Sequence, residues 1–236
     1  MPGPVVLCGG NEFDEASLPV NKALLRLSKQ KQPHVVIVPA AAADNPRRAT
    51  KSGIGYLSAL HARAEAAMIA SANAADVAVL SAALETADVI YLPDGNPLDA
   101  VEGLANSEAL ARMRYFWEQG TILAASGASA MALCDRYWDS GQWEKGLGLF
   151  KGIVVLPHHE LVVGRFSGAR LRQGLPPEYT ILGLDDSTGV IIDGQRADVI
   201  GPETVTVYGA DSESESEYSE GDTFTLALPL SSGSQG

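Results

Sequence analysis

The chain has 236 residues, of which 46% are hydrophobic and 19% are charged, as in a globular protein long enough for a full hydrophobic core. Its net charge of −12 disfavours nucleic acid or an anionic membrane as a partner, and no apolar run approaches the ~20 residues that span a bilayer. The first residues lack the pattern of a signal peptide, and Cys8 and Cys134 both lie in apolar surroundings. We therefore expect a cytoplasmic protein with two buried thiols.

The first part of the chain alternates short apolar runs with segments of helical periodicity. The predicted strands are Val5–Cys8, Val35–Val38, a segment within 64–70, Val89–Leu92 and a run around Ile122. The predicted helices contain Val20, Leu24 and Leu27, residues 45–61, then Val77, Leu80 and Leu84, and finally Leu110, Met113 and Trp117. Continuous apolar strands that alternate with amphipathic helices indicate a mostly parallel sheet with helices on both faces.

After about Val154 the pattern changes to short strands separated by turns, at 190–194, 205–208 and 224–228. These strands predict a C-terminal antiparallel β extension of the same domain. The acidic run 211–220 is expected to be a solvated loop or an extended hairpin arm. We thus expect one α/β domain over residues 1–236.

A Gly-x-Ser sequence follows the strand around Ile122. Gly127-Ala128-Ser129 lies between that strand and an Ala/Met/Leu run that suits a helix, as at a nucleophile elbow. Met131 stands where the full motif has a second glycine, so the residues fit a nucleophile elbow or merely a tight turn. If the segment is an elbow, Ser129 is the nucleophile.

Loops that follow three predicted strands should meet at one edge of the sheet, because the carboxyl ends of parallel strands lie together. These loops are Gly9-Gly10-Asn11, Asp94–Pro97 and Gly127–Ser129. His158 and His159 follow the strand-like segment 153–157. This location favours one of them as the base that a serine nucleophile needs. His34 and His61 fit surface or structural positions better.

Taken together, the Gly-Asn loop, Gly-x-Ser-Ala, Pro157-His158 and Gly183-Leu184-Asp185-Asp186 resemble the cyanophycinase and dipeptidase E family of serine peptidases. The resemblance covers residues 5 to about 228. It implies an α/β fold related to class I glutamine amidotransferase-like domains. It also implies a serine exopeptidase or dipeptidase that hydrolyses short peptides, Asp-containing or cyanophycin-like ones among them, through an acyl-enzyme.

The resemblance also implies a role for individual residues. Ser129 would be the acyl acceptor, His158 the general base and Asp186 the acid that orients the imidazole. The backbone N–H groups of Gly95 and Ala130 would form the oxyanion hole. Asn96 would lie in the same loop and contribute to substrate binding.

Three features depart from the family pattern. Met131 replaces a glycine after the serine. Asp94-Gly95-Asn96 resembles a Gly-Gly-Asn loop of the family, and Asp94 there replaces a glycine and places a carboxylate beside the proposed oxyanion hole. Asp186 is one methylene shorter than the glutamate of several members. Alternative acids lie between the serine and the histidine, at Asp135, Asp139 and Glu144.

Arg165, Arg170 and Arg172 follow the histidine at spacings similar to those of the family's basic cluster and could hold a substrate carboxylate, although a solvated segment fits them equally well. Since no cluster has metal-ligand spacing, we expect neither a metal nor a cofactor. A small peptide is the expected partner, and the sequence leaves a homodimer open. Two alternatives remain: a non-peptidase, amidotransferase-like hydrolase, and a catalytically silent binding protein on the same fold.

Overall fold

The computed structural model describes residues 1–68, 74–162, 168–209 and 215–226. Its helices lie where apolar side chains recur every three or four residues. They are a short 3-10 turn at Glu15–Ser17, α1 (Leu18–Leu27), α2 (Pro46–Ala59), α3 (Ala74–Leu84), α4 (Pro97–Leu104), α5 (Glu108–Glu118), α6 (Gly127–Leu133), α7 (His159–Val162) and α8 (Gly168–Arg172). None of these helices is long and apolar enough to cross a membrane.

The strands are β1 (Val5–Cys8), β2 (His34–Ile37), β3 (Arg63–Ala66), β4 (Val89–Leu92), β5 (Ile122–Ser126), β6 (Arg136–Asp139), β7 (Gln142–Lys145), β8 (Ile153–Pro157), β9 (Thr180–Leu184), β10 (Gly189–Asp193), β11 (Arg196–Ile200), β12 (Val205–Tyr208), β13 (Glu215–Tyr218) and β14 (Thr223–Thr225). Many of the strands, β1, β2, β4, β5 and β8 among them, coincide with apolar runs of the sequence, whereas others are polar. The main sheet has the order β14-β11-β10-β1-β5-β4-β2-β3. Strands β1 to β5 are parallel, whereas β10, β11 and β14 add antiparallel strands at one side. The predicted α/β fold with a mostly parallel sheet is confirmed.

The main sheet is covered on both faces. Along β1, Val5 and Leu7 belong to one core, and Val6 and Cys8 to the core on the opposite face. This alternation follows from the two-residue repeat of a strand, and it explains why every residue of β1 is apolar. Cys8 and Cys134 are buried free thiols, as predicted.

The predicted antiparallel strands of the C-terminal part are present, but they are divided between two sheets. Strands β8, β9, β12 and β13 form a separate sheet of order β13-β12-β9-β8, in which β8 and β9 are parallel. Part of the acidic run forms β13 and pairs with β12 as a hairpin arm, whereas its residues 211–214 lie outside the described part. The last strand ends at Thr225, and residues 227–228 of its predicted range also lie outside the described part.

Both sheets direct strand ends toward one place. In the main sheet β1, β4 and β5 end at Cys8, Leu92 and Ser126, and these parallel strands are neighbours. In the second sheet β8 and β9 end side by side, with Pro157 paired to Leu184. A hydrogen bond of 3.0 Å from His158 N–H to the Gly9 carbonyl joins the two edges. The loops that the sequence singled out therefore meet at this junction.

Candidate active site

His158 and Asp186 form the pair that the sequence predicts. Each residue follows the end of a strand of the second sheet, and His158 Nδ1 lies 2.5 Å from Asp186 Oδ1. His158 has a left-handed backbone, with φ of 48°, and its side chain is 34% exposed. The imidazole is therefore held by a carboxylate at Nδ1 and remains partly exposed.

The first loop of the main sheet positions this pair. Asn11 Nδ2 donates to Asp186 Oδ2 at 2.6 Å, so both carboxylate oxygens of Asp186 have partners. Gly10 lies so close to the His158 ring and Asp186 that a Cβ at this position would overlap both side chains. The Gly-Gly-Asn loop after β1 thus provides space for the imidazole and a donor for its carboxylate partner.

Asp94 lies on the opposite side of the imidazole. Its Oδ2 is 3.3 Å from His158 Nε2, and its side chain is 28% exposed. Its Oδ1 accepts hydrogen bonds from the backbone N–H groups of Gly95 and Ala128, each 2.7 Å long. The Asp94 carboxylate thus contacts the second nitrogen of the imidazole and also accepts hydrogen bonds from two convergent backbone N–H groups.

The two carboxylates determine the charge of the imidazole. The pKa of His158 is raised from 6.5 to about 9, most strongly by the hydrogen bond with Asp94. Burial disfavours the charged form of Asp94, but hydrogen bonds from His158, Ala128 and Gly95 outweigh that effect and lower the pKa of its carboxyl group. Asp94, His158 and Asp186 together are called the centre below. At neutral pH this centre therefore holds an imidazolium against an ionised Asp94.

The sharp strand-to-helix turn occurs at Gly127. This glycine is the first residue after β5 and the first of α6, and its φ of 52° lies in the left-handed region. In a nucleophile elbow the reactive side chain belongs to the strained residue at the turn, and the next residue supplies an oxyanion-hole N–H. Here the next residue is Ala128, whose N–H does point into the centre.

Ser129 does not lie at that turn, and the structure does not bring it together with His158. Its side chain is fully buried within α6, and its hydroxyl donates to the Pro93 carbonyl oxygen at 2.6 Å. Ala130 is likewise buried inside α6, so the donor facing the centre is Ala128 rather than Ala130. Ser129 and Ala130 thus each lie two residues after the positions that an elbow at Gly127 gives to a nucleophile and its neighbouring N–H donor.

Glu12 is a site residue that the sequence analysis missed. Its buried carboxylate accepts from the Asp94 N–H at 2.9 Å and from the Ser126 hydroxyl at 3.0 Å. Burial raises the pKa of Glu12. Glu12 therefore ties the loop after β4 to the end of β5. Only its position two residues after the Gly9-Gly10 turn could have suggested it, since an isolated glutamate is usually a surface residue.

A cleft of about 450 Å³ adjoins the centre. Gly95 and Asn96 form part of its wall, together with Arg48 and the carboxylate residues Asp44 and Asp99. Asn96 also caps α4, since its Oδ1 accepts from Leu98 N–H at 2.9 Å. The cleft thus offers groups of both charges close to the loop that carries Asp94.

The predicted arginine cluster has other contacts. Arg170 donates to the Gly141 carbonyl oxygen at 2.8 Å and lies over the Trp138 ring, so it packs against the β6–β7 hairpin. Arg172 donates to the Tyr208 carbonyl oxygen at 2.6 Å, at the end of β12. Arg165 lies outside the described residues. The two described arginines thus support the backbone of neighbouring segments.

The other candidates for base and acid lie away from the centre. His159 is buried, with its Nε2 2.7 Å from the Tyr208 hydroxyl, and burial lowers its pKa. The alternative acids have local partners: Asp135 accepts from the Tyr179 hydroxyl, Asp139 from the Ser140 hydroxyl and Glu144 from the Gln142 amide. Of the four candidate acids, Asp186 is the one paired with His158.

Within the described part of the chain, one group of side chains has possible metal-ligand atoms close enough to share a cation. Atoms of His158, Glu160 and Asp186 lie within 4.8 Å of one another. However, Glu160 Oε2 accepts from the Asp186 N–H at 3.1 Å, and His158 Nδ1 is engaged by Asp186. These three side chains are thus linked by hydrogen bonds that hold the imidazole in place.

Comparison with known families decides the class of this protein. The sequence pattern of peptidase family S51 matches residues 5–200, which is most of the chain. The chain belongs to peptidase family S51. The predicted resemblance to the cyanophycinase and dipeptidase E family is thereby confirmed. Comparison with curated proteins finds no match.

Solved structures agree on the fold of this S51 member. A crystal structure of a peptidase from an acI-B1 Actinobacterium has a TM-score of 0.80 at 20% identity, over 95% of this chain and 97% of that one. A putative peptidase E protein from Listeria monocytogenes EGD-e has a TM-score of 0.66 at 15% identity, over 86% of this chain and 100% of that one. The family supports a peptidase as the general class, and the structures support the fold.

Proposed function

We propose that this protein is a hydrolase of short peptides whose reaction centre is Asp94, His158 and Asp186, without a serine nucleophile. The observation that carries the proposal is the position of the His158 imidazole between two carboxylates, 3.3 Å from Asp94 and 2.5 Å from Asp186. Among the described residues, the partner of Nε2 is this Asp94 carboxylate rather than a hydroxyl. The family supports peptide substrates in general.

The centre provides a base and an acid side by side. The Asp94 carboxylate takes a proton from a water molecule, whose oxygen forms a bond to the scissile carbonyl carbon. His158 is an imidazolium at neutral pH and gives its Nε2 proton to the leaving nitrogen as the C–N bond breaks. Asp94 then returns its proton to His158 across their contact. Asp186 keeps the ring oriented and stabilises its positive charge.

The cleft beside Gly95 and Asn96 is suited to a short peptide. It contains Arg48 as a cationic group and Asp44 and Asp99 as anionic groups. A short peptide carries a carboxylate and an ammonium group at its two ends, so opposite charges in one small cleft favour free termini. This arrangement supports exopeptidase or dipeptidase specificity over cleavage within long chains.

A second candidate function is peptide binding without cleavage. It is favoured by Asp94 Oδ1, which occupies both the Gly95 and the Ala128 N–H donors. A tetrahedral oxyanion could reach these donors only by displacing a hydrogen-bonded carboxylate, which costs free energy.

A peptide digest distinguishes the two functions. A library of short peptides, with free or with acetylated and amidated ends, is incubated with wild type, Asp94→Asn and His158→Gln, and products are read by mass spectrometry. We expect cleavage of free peptides by wild type, a loss of at least about a hundredfold in both variants, and no inhibition by a fluorophosphonate. Binding without cleavage would establish the second candidate. Inhibition with the label on Ser129 would overturn both proposals.

A further inference from the structure

Gly127 and the Asp94 side chain lie against each other in the centre. Gly127 has the strained backbone of an elbow residue but no side chain, with φ of 52°. A Cβ built on Gly127 would overlap the Asp94 carboxylate, with both of its oxygens and Cγ as the nearest atoms. The space that a side chain at residue 127 would occupy is therefore filled by the side chain of residue 94.

The surroundings of this space are those of a serine nucleophile. It is bordered by the Gly95 and Ala128 N–H groups, which converge on Asp94 Oδ1, and by His158 Nε2. An oxygen near Oδ2 would contact the imidazole, and an oxyanion near Oδ1 would receive two backbone hydrogen bonds. Asp186 completes the arrangement on the far side of the ring.

We infer that residue 127 is the nucleophile position of this site, and that Asp94 has taken both the position of the nucleophile and the oxyanion hole. Serine acyl-transfer activity is therefore latent in this chain, blocked by one missing hydroxyl and one added carboxylate. The inference does not depend on whether the wild type cleaves peptides, since it concerns what occupies the elbow.

The test adds the missing hydroxyl and removes the added carboxylate, first separately and then together. Gly127→Ser, Asp94→Gly and the double variant are treated with an alkyl fluorophosphonate. In the reaction the serine Oγ forms a bond to phosphorus, fluoride leaves and the hydroxyl proton passes to His158 Nε2. We expect the double variant to be labelled at residue 127 at least about tenfold faster than either single variant, because only it has both a hydroxyl and free oxyanion donors. Wild type should stay unlabelled.

Adding His158→Gln to the double variant should return labelling to background, which separates an activated serine from one that is merely exposed. The inference is overturned if the folded double variant is not labelled, if Gly127→Ser alone is labelled as fast, or if wild type is labelled at Ser129. Peptide mapping identifies the labelled residue in each case.

A stability measurement keeps the inference testable if the serine variants fail to fold. Gly127→Ala should lower the melting temperature, and Asp94→Gly should remove part of that loss because it removes the overlapping carboxylate. Gly194→Ala is the matched control, since Gly194 has φ of 61° but open space around its Cβ position. Asp94→Gly should leave the effect of Gly194→Ala unchanged. Equal, additive losses at both glycines would show that Asp94 and residue 127 do not compete for space.

Discussion

The two sheets contribute different parts of the site, and they differ in how closely those parts match a serine peptidase. The second sheet supplies His158 and Asp186 at the ends of β8 and β9, in the orientation of a catalytic pair. The main sheet supplies the ends of β4 and β5, where Asp94 and Gly127 stand in place of a small loop residue and a nucleophile.

The difference shows that an ordered histidine–carboxylate pair does not define the reaction on its own. In a serine peptidase the free nitrogen of such a pair takes a proton from a hydroxyl, whereas here it contacts a carboxylate and helps to lower the pKa of that carboxyl group. Membership of peptidase family S51 therefore indicates the general class of the protein, while the proposed chemistry depends on Asp94 and Gly127 of the main sheet.

The largest effect is expected at His158, in the part of the site that the second sheet supplies. His158→Gln should lower the cleavage rate of the best library peptide by about 10²–10⁴-fold, because the variant loses the group that protonates the leaving nitrogen. His159→Gln is the matched control: its ring is buried against Tyr208, so this variant should lose stability but keep most of its rate per folded molecule. Rates and the folded fraction, from circular dichroism, are measured together. The opposite ranking would contradict the assignment of His158.

The next largest effect is expected at Asp186, the second carboxylate beside His158. Asp186→Asn should lower the rate by about ten- to a hundredfold, since the imidazole loses one charged partner but keeps Asp94. Asp185→Asn should be much milder, because Asp185 Oδ2 accepts from the Thr204 N–H and lies on the side of buried His159. Steady-state kinetics on one peptide provide the comparison. Equal losses would mean that both aspartates act by supporting the β9–β10 turn.

The sequence predicted the second sheet's contribution well, for a simple reason. Pro157-His158 and Leu184-Asp185-Asp186 each follow an apolar run, so a strand end was recognisable at both positions. The separate sheet was not recognisable, because the parallel pairing of β8 with β9 is a tertiary contact that periodicity does not report.

The main sheet's contribution was predicted only in part. The sequence marks Asp94 as a departure from the family pattern and indicates the elbow segment. The Gly-x-Ser spacing points to Ser129 as the nucleophile, whereas β5 continues to Ser126 and the turn lies at Gly127. The left-handed φ that marks the turn residue can be suggested by a glycine but is established only by the backbone.

A pH titration of stability tests the charge of the centre. The pKa of His158 is raised from 6.5 to about 9 in the folded protein, beside Asp94, Asp186 and Glu160. Its stabilising contribution is therefore complete below about pH 6.5 and is lost as the pH rises through about 9. We expect about 1–2 kcal/mol, less than the full shift because the ring is partly exposed.

The measurement is the free energy of unfolding in urea between pH 6 and 10, for wild type and for His158→Gln. The difference between the two proteins should fall toward zero as the pH rises, since only wild type carries the titrating imidazole. A difference that stays constant over this range would show that His158 is neutral between its two carboxylate neighbours.

The smallest effect is expected where the sequence pattern alone predicts the largest. Ser129→Ala should change the cleavage rate less than about twofold, because its hydroxyl is buried and donates to the Pro93 carbonyl oxygen rather than to His158. Loss of that hydrogen bond should cost about 1 kcal/mol of stability, measured by urea unfolding. Ser126→Ala is the matched comparison in the same segment: its hydroxyl donates to Glu12, which also holds the Asp94 N–H, so this variant should lower the rate more than Ser129→Ala does. A folded Ser129→Ala protein without activity would return the nucleophile to residue 129 and require α6 to rearrange when substrate binds.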